Sequence, residues 1–274
     1  MSRVAIVKGT DPVQMTNEAL RLLQSDLEPL LSSSQSFLIK PNYINARHPS
    51  TGITTDARVV EGVVTYFRAQ GDHTLLIGEG SGWADTMHAF KVAGIDRVAE
   101  QWRVQLVDLN DDVFISATPP NPLALRQVRV AQTALQSALI SVPKLKSHGS
   151  ATVTLGLKNV MGALASKGTM HNGRLHQNIA DLASLLPPRL TVIDGIVAGE
   201  GHETRGRPLA MNVVIAGVDP VATDAVGAAV MGIQPSTVQH LRYAAQKQLG
   251  TLDLEAIHIV GEPIAEVQRR FRRI

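Results

Sequence analysis

Between Val142 and Gly162, in the stretch VPKLKSHGSATVTLGLKNVMG, three lysines, a histidine and an asparagine are spaced as groups that could hold an anion. Lys144, Lys146 and His148 alternate with Leu145 and Ser147, so a backbone that stays extended past Pro143 puts two ammonium groups and an imidazole on one face. Thr152 and Thr154 repeat the alternation. Leu157 then opens a predicted helix with Lys158 and Asn159 near its positive end, where an anion would sit between the Lys158 ammonium and free backbone N–H groups. Such a cluster would neutralise a carboxylate or a phosphate, and His148 or a second histidine, His171, could move a proton on it.

These side chains need a scaffold, and the flanking sequence supplies one. Ala138 to Val142 reads as a short buried strand that Pro143 ends. Upstream, Arg3 to Lys8 is a strand, and Asp11-Pro12 is an N-cap with proline in the first helical position, opening a helix predicted to run to about Leu31. Ser36 to Lys40 is a strand and 42–54 a loop. Thr55 or Asp56 caps a helix in which Val59, Val60, Val63, Val64 and Phe67 recur at helical spacing. Thr74 to Ile77 is a strand feeding the turn Gly78-Glu-Gly-Ser-Gly82. Residues 95–102 read as a helix and 103–108 as a strand, while 111–130 read as a small antiparallel hairpin around a proline-stiffened turn. Further on come a helix at 178–186, a strand at 190–194 and a Gly-rich loop at 197–208 that holds Glu200, His202, Glu203 and Arg205. A strand at 213–218, an apolar helix capped by Asp219, a helix at about 236–248 and a last strand at 256–260 follow. Strands alternating with helices imply an α/β fold: a mostly parallel sheet with helices on both faces, three layers, and one small antiparallel hairpin insert. No linker divides residues 1–274, so we expect a single domain.

Ligands in open α/β sheets bind outside the carboxyl ends of the strands. Lys40 and Asn42, Glu79 and Ser81, Lys144 to His148, and Asp194 all follow strand-like runs, so parallel strands would collect them on one edge. Asp224 interrupts the apolar run VATDAVGAAV and, if buried, must be paired or belong to a site. The segment 162–176, rich in Gly, Lys, Asn and His, suits a lid. The glycine turn lacks GxGxxG spacing and Glu79 would repel phosphate, which argues against a dinucleotide loop. There is no GxSxG elbow and no HExxH.

Composition removes other classes. The 274 residues are 44% hydrophobic, 18% charged and 4% aromatic, the profile of a globular chain rich in aliphatic side chains. No apolar run approaches the roughly 18 residues that span a bilayer, and the N-terminus goes straight into a strand pattern, so we expect a cytoplasmic protein with no membrane partner. The absence of cysteine excludes disulfides, thiolate catalysis and cysteine-held iron-sulfur clusters. A site drawn from His148, His171 or His176 with Glu79, Asp194 or Asp224 leaves room for a divalent cation, and the hard carboxylates would favour Mg²⁺ or Mn²⁺ over zinc. The formal charge is +2, and four arginines between 269 and 273 account for it, leaving the body at −2. A general basic face for nucleic acid is therefore not indicated, and the tail reads as a helix end or a solvated terminus.

The same motifs carry a resemblance. PKLKSHG and VTLGLKNVMG, followed by the isolated His171, TVIDGI at 191–196 and DPVATDAV at 219–226, with IKPN at 39–42, TTDARVV at 54–60 and GEGSG at 78–82 upstream, are similar to the DUF362 family of prokaryotic proteins. The resemblance covers nearly the whole chain. Members of that family are often joined to ferredoxin-like iron-sulfur segments, a feature this cysteine-free chain departs from. Two readings remain open: an enzyme doing acid/base chemistry on a small anionic molecule, with Lys144, Lys146 and Lys158 as anion holders and Asp194 or Asp224 orienting an imidazole, or a non-catalytic carrier using the same cationic pocket. Neither the substrate nor the oligomeric state follows from these residues.

Overall fold

A computed structural model describes residues 1–272 of the chain. Its strands are β1 (Ser2–Lys8), β2 (Ser36–Pro41), β3 (Thr74–Glu79), β4 (Gln105–Asp108), β5 (Phe114–Ala117), β6 (Val128–Ala131), β7 (Ala138–Val142), β8 (Lys144–His148), β9 (Thr152–Thr154), β10 (Leu190–Glu200), β11 (Arg207–Gly217) and β12 (Ile257–Gly261). Ten of them form one sheet, in the order β12-β1-β11-β10-β7-β2-β3-β4, with β8 paired to β10 and β9 to β8. Every pairing is parallel except those made by β11 and by β9. β5 and β6 make the separate antiparallel hairpin.

The central strands read as unbroken apolar runs because both of their faces are covered. Alternate residues go to opposite cores. Phe37 and Ile39 join one that packs under the helices Pro12–Leu22 and Ala57–Gln70, while Leu38 joins the other, with the helices Pro220–Val230 and Leu175–Leu185. Four aspartates set where α-helices begin, one of them Asp85, which accepts from His88 N at the start of the helix Thr86–Ala93. Asp11 accepts from Val13 N and Gln14 N, Asp56 from Arg58 N, and Asp219 from Val221 N and Ala222 N. Among the described residues no helix is long and apolar enough to cross a membrane.

Three expectations are corrected. The first helix is two, Pro12–Leu22 and Gln24–Ser33, because the backbone turns at Leu23, with φ −107° and ψ 13°. The supposed loop at 197–208 is mostly sheet: β10 and β11 continue as a long hairpin, past a register shift between Gly195 and Val197, so only six residues lie between them. Glycine-rich composition concealed strands whose ladder comes from pairing, not from side-chain propensity. The arginine tail is neither helical nor free, since the last helix is Ile264–Val267 and the chain then docks through Arg269 N to Val230 O and Phe271 N to Met231 O, burying Phe271. Arg273 lies outside the described residues.

Candidate functional site

Parallel strands deliver Lys40 on β2 and Glu79 on β3 to the same sheet edge, and a cleft of about 540 Å³ opens there. From the first half of the chain, Lys40, Asn42, Glu79 and Ser81 line it; from the second, His148, Lys158, Asn159 and His171. Eight of the twelve expected residues are thus brought together. Lys144, Lys146, Asp194 and Asp224 are not in the lining.

At the floor, Lys40 Nζ lies 2.7 Å from Glu79 Oε1, with both side chains almost fully buried. Lys40 also donates to Pro41 O and to Asn159 Oδ1, at 3.1 and 3.2 Å. Glu79 accepts in addition from Tyr43 N and Gly80 N. Burial pulls the Lys40 ammonium below its ordinary pKa, against the attraction of Glu79. The carboxylate that looked repulsive to an anion is therefore already neutralised. Gly162 permits this closeness: a Cβ there would stand 2.1 Å from Glu79 Oε1 and 2.6 Å from Lys40 Nζ. Asn159 ties the floor to the strands, donating to Lys40 O and Ser141 Oγ while its Oδ1 accepts from Asn42 Nδ2.

The wall is different in kind. Lys158 lines the cleft, half-buried, and makes no hydrogen bond or ion pair among the described residues. Burial brings its pKa down to about 8, with Glu203 opposing and Lys40 adding to the shift. His148 accepts at Nδ1 from Ser150 N and Ala151 N, both 3.2 Å away, so its proton resides on Nε2, 3.8 Å from Glu203 Oε1. Burial first, and then Lys158, Lys146, His171 and His240, push its pKa down to about 2. His148 is a neutral N–H donor, and the lone pair a general base would use is engaged with backbone. His171, exposed on the 3₁₀ turn Gly168–His171, has no hydrogen bond to the described residues, and burial together with Lys158 lowers its pKa. It is the imidazole in the cleft that remains free to take a proton.

The four residues outside the lining have other tasks. Lys144 and Asp194 form a wholly buried ion pair of 2.8 Å, and Asp194 also accepts from Asp56 N and Ile196 N, so the pair fastens the start of the helix Ala57–Gln70 to the sheet. Burial raises the pKa of Asp194, with Lys144 opposing. Asp224 caps the turn Gly156–Asn159, accepting from Gly156 N at 2.7 Å and Leu157 N at 2.9 Å. Burial pushes it up to about 7 against those two hydrogen bonds. The backbone N–H groups expected to share an anion with Lys158 are therefore occupied by Asp224. Lys146 donates to Ile53 O and Glu203 O and, buried without a carboxylate partner, falls to about 7, chiefly through burial and then through Lys158 and Lys144. Orienting an imidazole falls to neither aspartate. Among the described residues no group of three His, Asp or Glu is placed to hold a metal ion, and of the carboxylates considered for one, Asp194 and Asp224 are engaged elsewhere.

Sequence reasoning missed several lining residues. Glu203 approaches His148 and, despite its burial, is held below the usual carboxylate range by hydrogen bonds from its own and Gly149's backbone N–H. Lys167 donates to Asn110 Oδ1 at 2.7 Å and adds a third ammonium group to the lining. Its signal was its place in the segment 162–176, which contributes Gly162, Ala165, Lys167, Gly168 and His171 to the lining. Trp83 gave no signal beyond its neighbours, and Thr154 only that of the alternation it shares with Thr152. Lys40, Lys158 and Lys167 against Glu79 and Glu203 leave the lining one positive charge in excess.

No solved structure matches this chain significantly. It is similar to the thylakoid-associated protein sll1697 of Synechocystis sp. (strain ATCC 27184 / PCC 6803 / Kazusa), with 25% identity over 247 residues, covering 84% of this chain and 75% of that protein. Residues 37–229, which span the whole cleft from Lys40 to Glu203, match the DUF362 family, described as a domain of unknown function. By that match, reaching over more than half of its length, the chain belongs to the DUF362 family.

Proposed function

We propose that the cleft binds a small anionic molecule through a carboxylate or phosphate group. One observation carries this reading: Lys158 presents a half-buried ammonium without a partner among the described residues, whereas Lys40 and Lys144 are each paired with a carboxylate. Withdrawing a charge from water costs several kcal/mol unless something pairs with it, and the cleft leaves room for that something. The Nε2–H of His148 adds a neutral donor beside it. The hydroxyls of Ser81 and Thr154, in the same lining, have no hydrogen-bond partner among the described residues.

If the bound molecule is also transformed, His171 is the base, and the reaction is a proton transfer. The engaged Nδ1 of His148 favours the alternative, a carrier that holds its ligand without chemistry. A diffusible ligand goes with a cytoplasmic location; recovery of the protein with membranes on cell fractionation would overturn that part.

Binding is tested by thermal melts of the wild type and Lys158→Met against a panel of carboxylates and inorganic phosphate. A ligand that binds the folded state alone raises the melting temperature by mass action. We expect at least one anion to stabilise the wild type and to lose most of that effect in the variant. A variant that responds to every anion as the wild type does would refute the reading.

A further inference from the structure

A second cavity, of about 430 Å³, adjoins the cleft and shares Trp83 and Thr204 with it. Its lining contains Arg47 and Arg205 and no acidic residue. Both arginines are exposed, and neither is in an ion pair among the described residues. Between the two cavities Trp83 is 79% exposed, the most exposed large aromatic side chain of the chain. Its backbone is not loose, because Trp83 N donates to Ile44 O at 2.9 Å and Gly82 lies so close to Ile44 that a Cβ would meet its Cδ1 at 2.9 Å. The carbonyl of Arg47 is likewise fixed by Thr54 Oγ1 at 2.7 Å. Trp83 therefore presents the flat apolar face of its ring between two cationic cavities, where a planar group could stack on it.

We propose that the ligand is elongated, with one anionic group in the lysine cleft, a planar aromatic or apolar middle on Trp83, and a second anionic group between Arg47 and Arg205. The guanidinium fork suits a planar carboxylate or a phosphate face held through two hydrogen bonds. This rests on the anion reading of the first cleft and extends it from an ion to the class of aryl-bridged dianions. Thr204, common to both linings, lies where such a molecule would pass from one cavity to the other.

The test compares affinities within one preparation. Inorganic phosphate, phenyl phosphate and a series of phenyl phosphates bearing a para carboxylate on zero to three methylenes are titrated by calorimetry, with tryptophan emission followed in parallel. In the wild type we expect the best member of the carboxylated series to bind at least about tenfold more tightly than inorganic phosphate, and the aryl probes, unlike phosphate, to quench emission. Trp83→Leu should abolish the quenching, leaving the signal of the partly buried Trp102. In the variant carrying Arg47→Ala and Arg205→Ala, the ratio of carboxylated probe to phenyl phosphate should fall to about one. Phosphate binding by the wild type with no gain from the carboxylate, or a gain that survives the loss of both arginines, would sink the second subsite while leaving the first intact. No binding by any probe would sink both.

Discussion

Two ends of β8 treat positive charge in opposite ways. At Lys144 the ammonium is wholly buried, 2.8 Å from Asp194, inside a network that reaches the first turn of the helix Ala57–Gln70. At the other end, past Lys146, His148 faces a cleft beside Lys158, whose ammonium has no partner among the described residues. Both are lysines, Lys144 opening β8 and Lys158 standing on the turn Gly156–Asn159 beyond β9, which returns to the far end of β8. The difference shows that a buried lysine is not by itself a sign of function: a charge closed off with its counter-charge holds architecture together, and a charge left open is the one with something still to bind.

The sharpest way to break that contrast is at the paired end. Lys144→Met leaves the Asp194 carboxylate buried without its cation, and removing one partner of such a pair costs about 3–5 kcal/mol. Denaturant unfolding should show a loss of that size; a loss below about 1 kcal/mol would mean that the network is not holding the sheet to the helix. Next in size is Gly162→Ala, where the new methyl group would have to displace the Lys40–Glu79 pair. Overpacking of this kind costs about 1–3 kcal/mol. The same variant should also weaken anion binding, since the floor of the cleft shifts; a variant of wild-type stability would show that the backbone at Gly162 moves aside freely.

The smallest effect sharpens the unpaired end. With its pKa at about 8, Lys158 is protonated below that value in the folded, ligand-free protein, whereas in the unfolded chain it stays protonated to about 10.5. Between these values the unfolded state binds more protons, so this group makes stability rise with pH across that window and leaves it independent of pH below about 8, where both states are protonated. Lys158→Met should therefore melt at or slightly above the wild-type temperature near pH 7, and the gain should vanish at high pH. Anion affinity runs the other way, decreasing as pH rises through about 8 and the ammonium is lost. Calorimetry from pH 6 to 9.5 checks this, and an affinity constant over that range would remove Lys158 from the site.

Much of this molecule was legible without coordinates. Alternation in VPKLKSHG foretold that the chain stays extended past Pro143, as β8 does, because period-two patterning and the geometry of a strand are the same constraint. Asp11, Asp56 and Asp219 marked helix starts through local hydrogen bonds that their own sequence neighbours complete. Local signals failed where partners are remote. The hairpin of β10 and β11 was hidden in glycine-rich sequence, since its hydrogen bonds come from pairing, and the break at Leu23 has no proline or glycine to announce it.

For the site, the sequence by itself determined which groups would reach one sheet edge: parallel strands carry Lys40, Glu79 and the KLKSH segment there whatever the details of packing. It did not determine which of those groups would face each other. That Asp194 belongs to Lys144, that Asp224 fills the N–H groups of Gly156 and Leu157, and that Lys158 is left over are matters of ångströms between residues up to 68 positions apart. Charge pairing depends on distance and dielectric, and both are set only when the chain has closed around them.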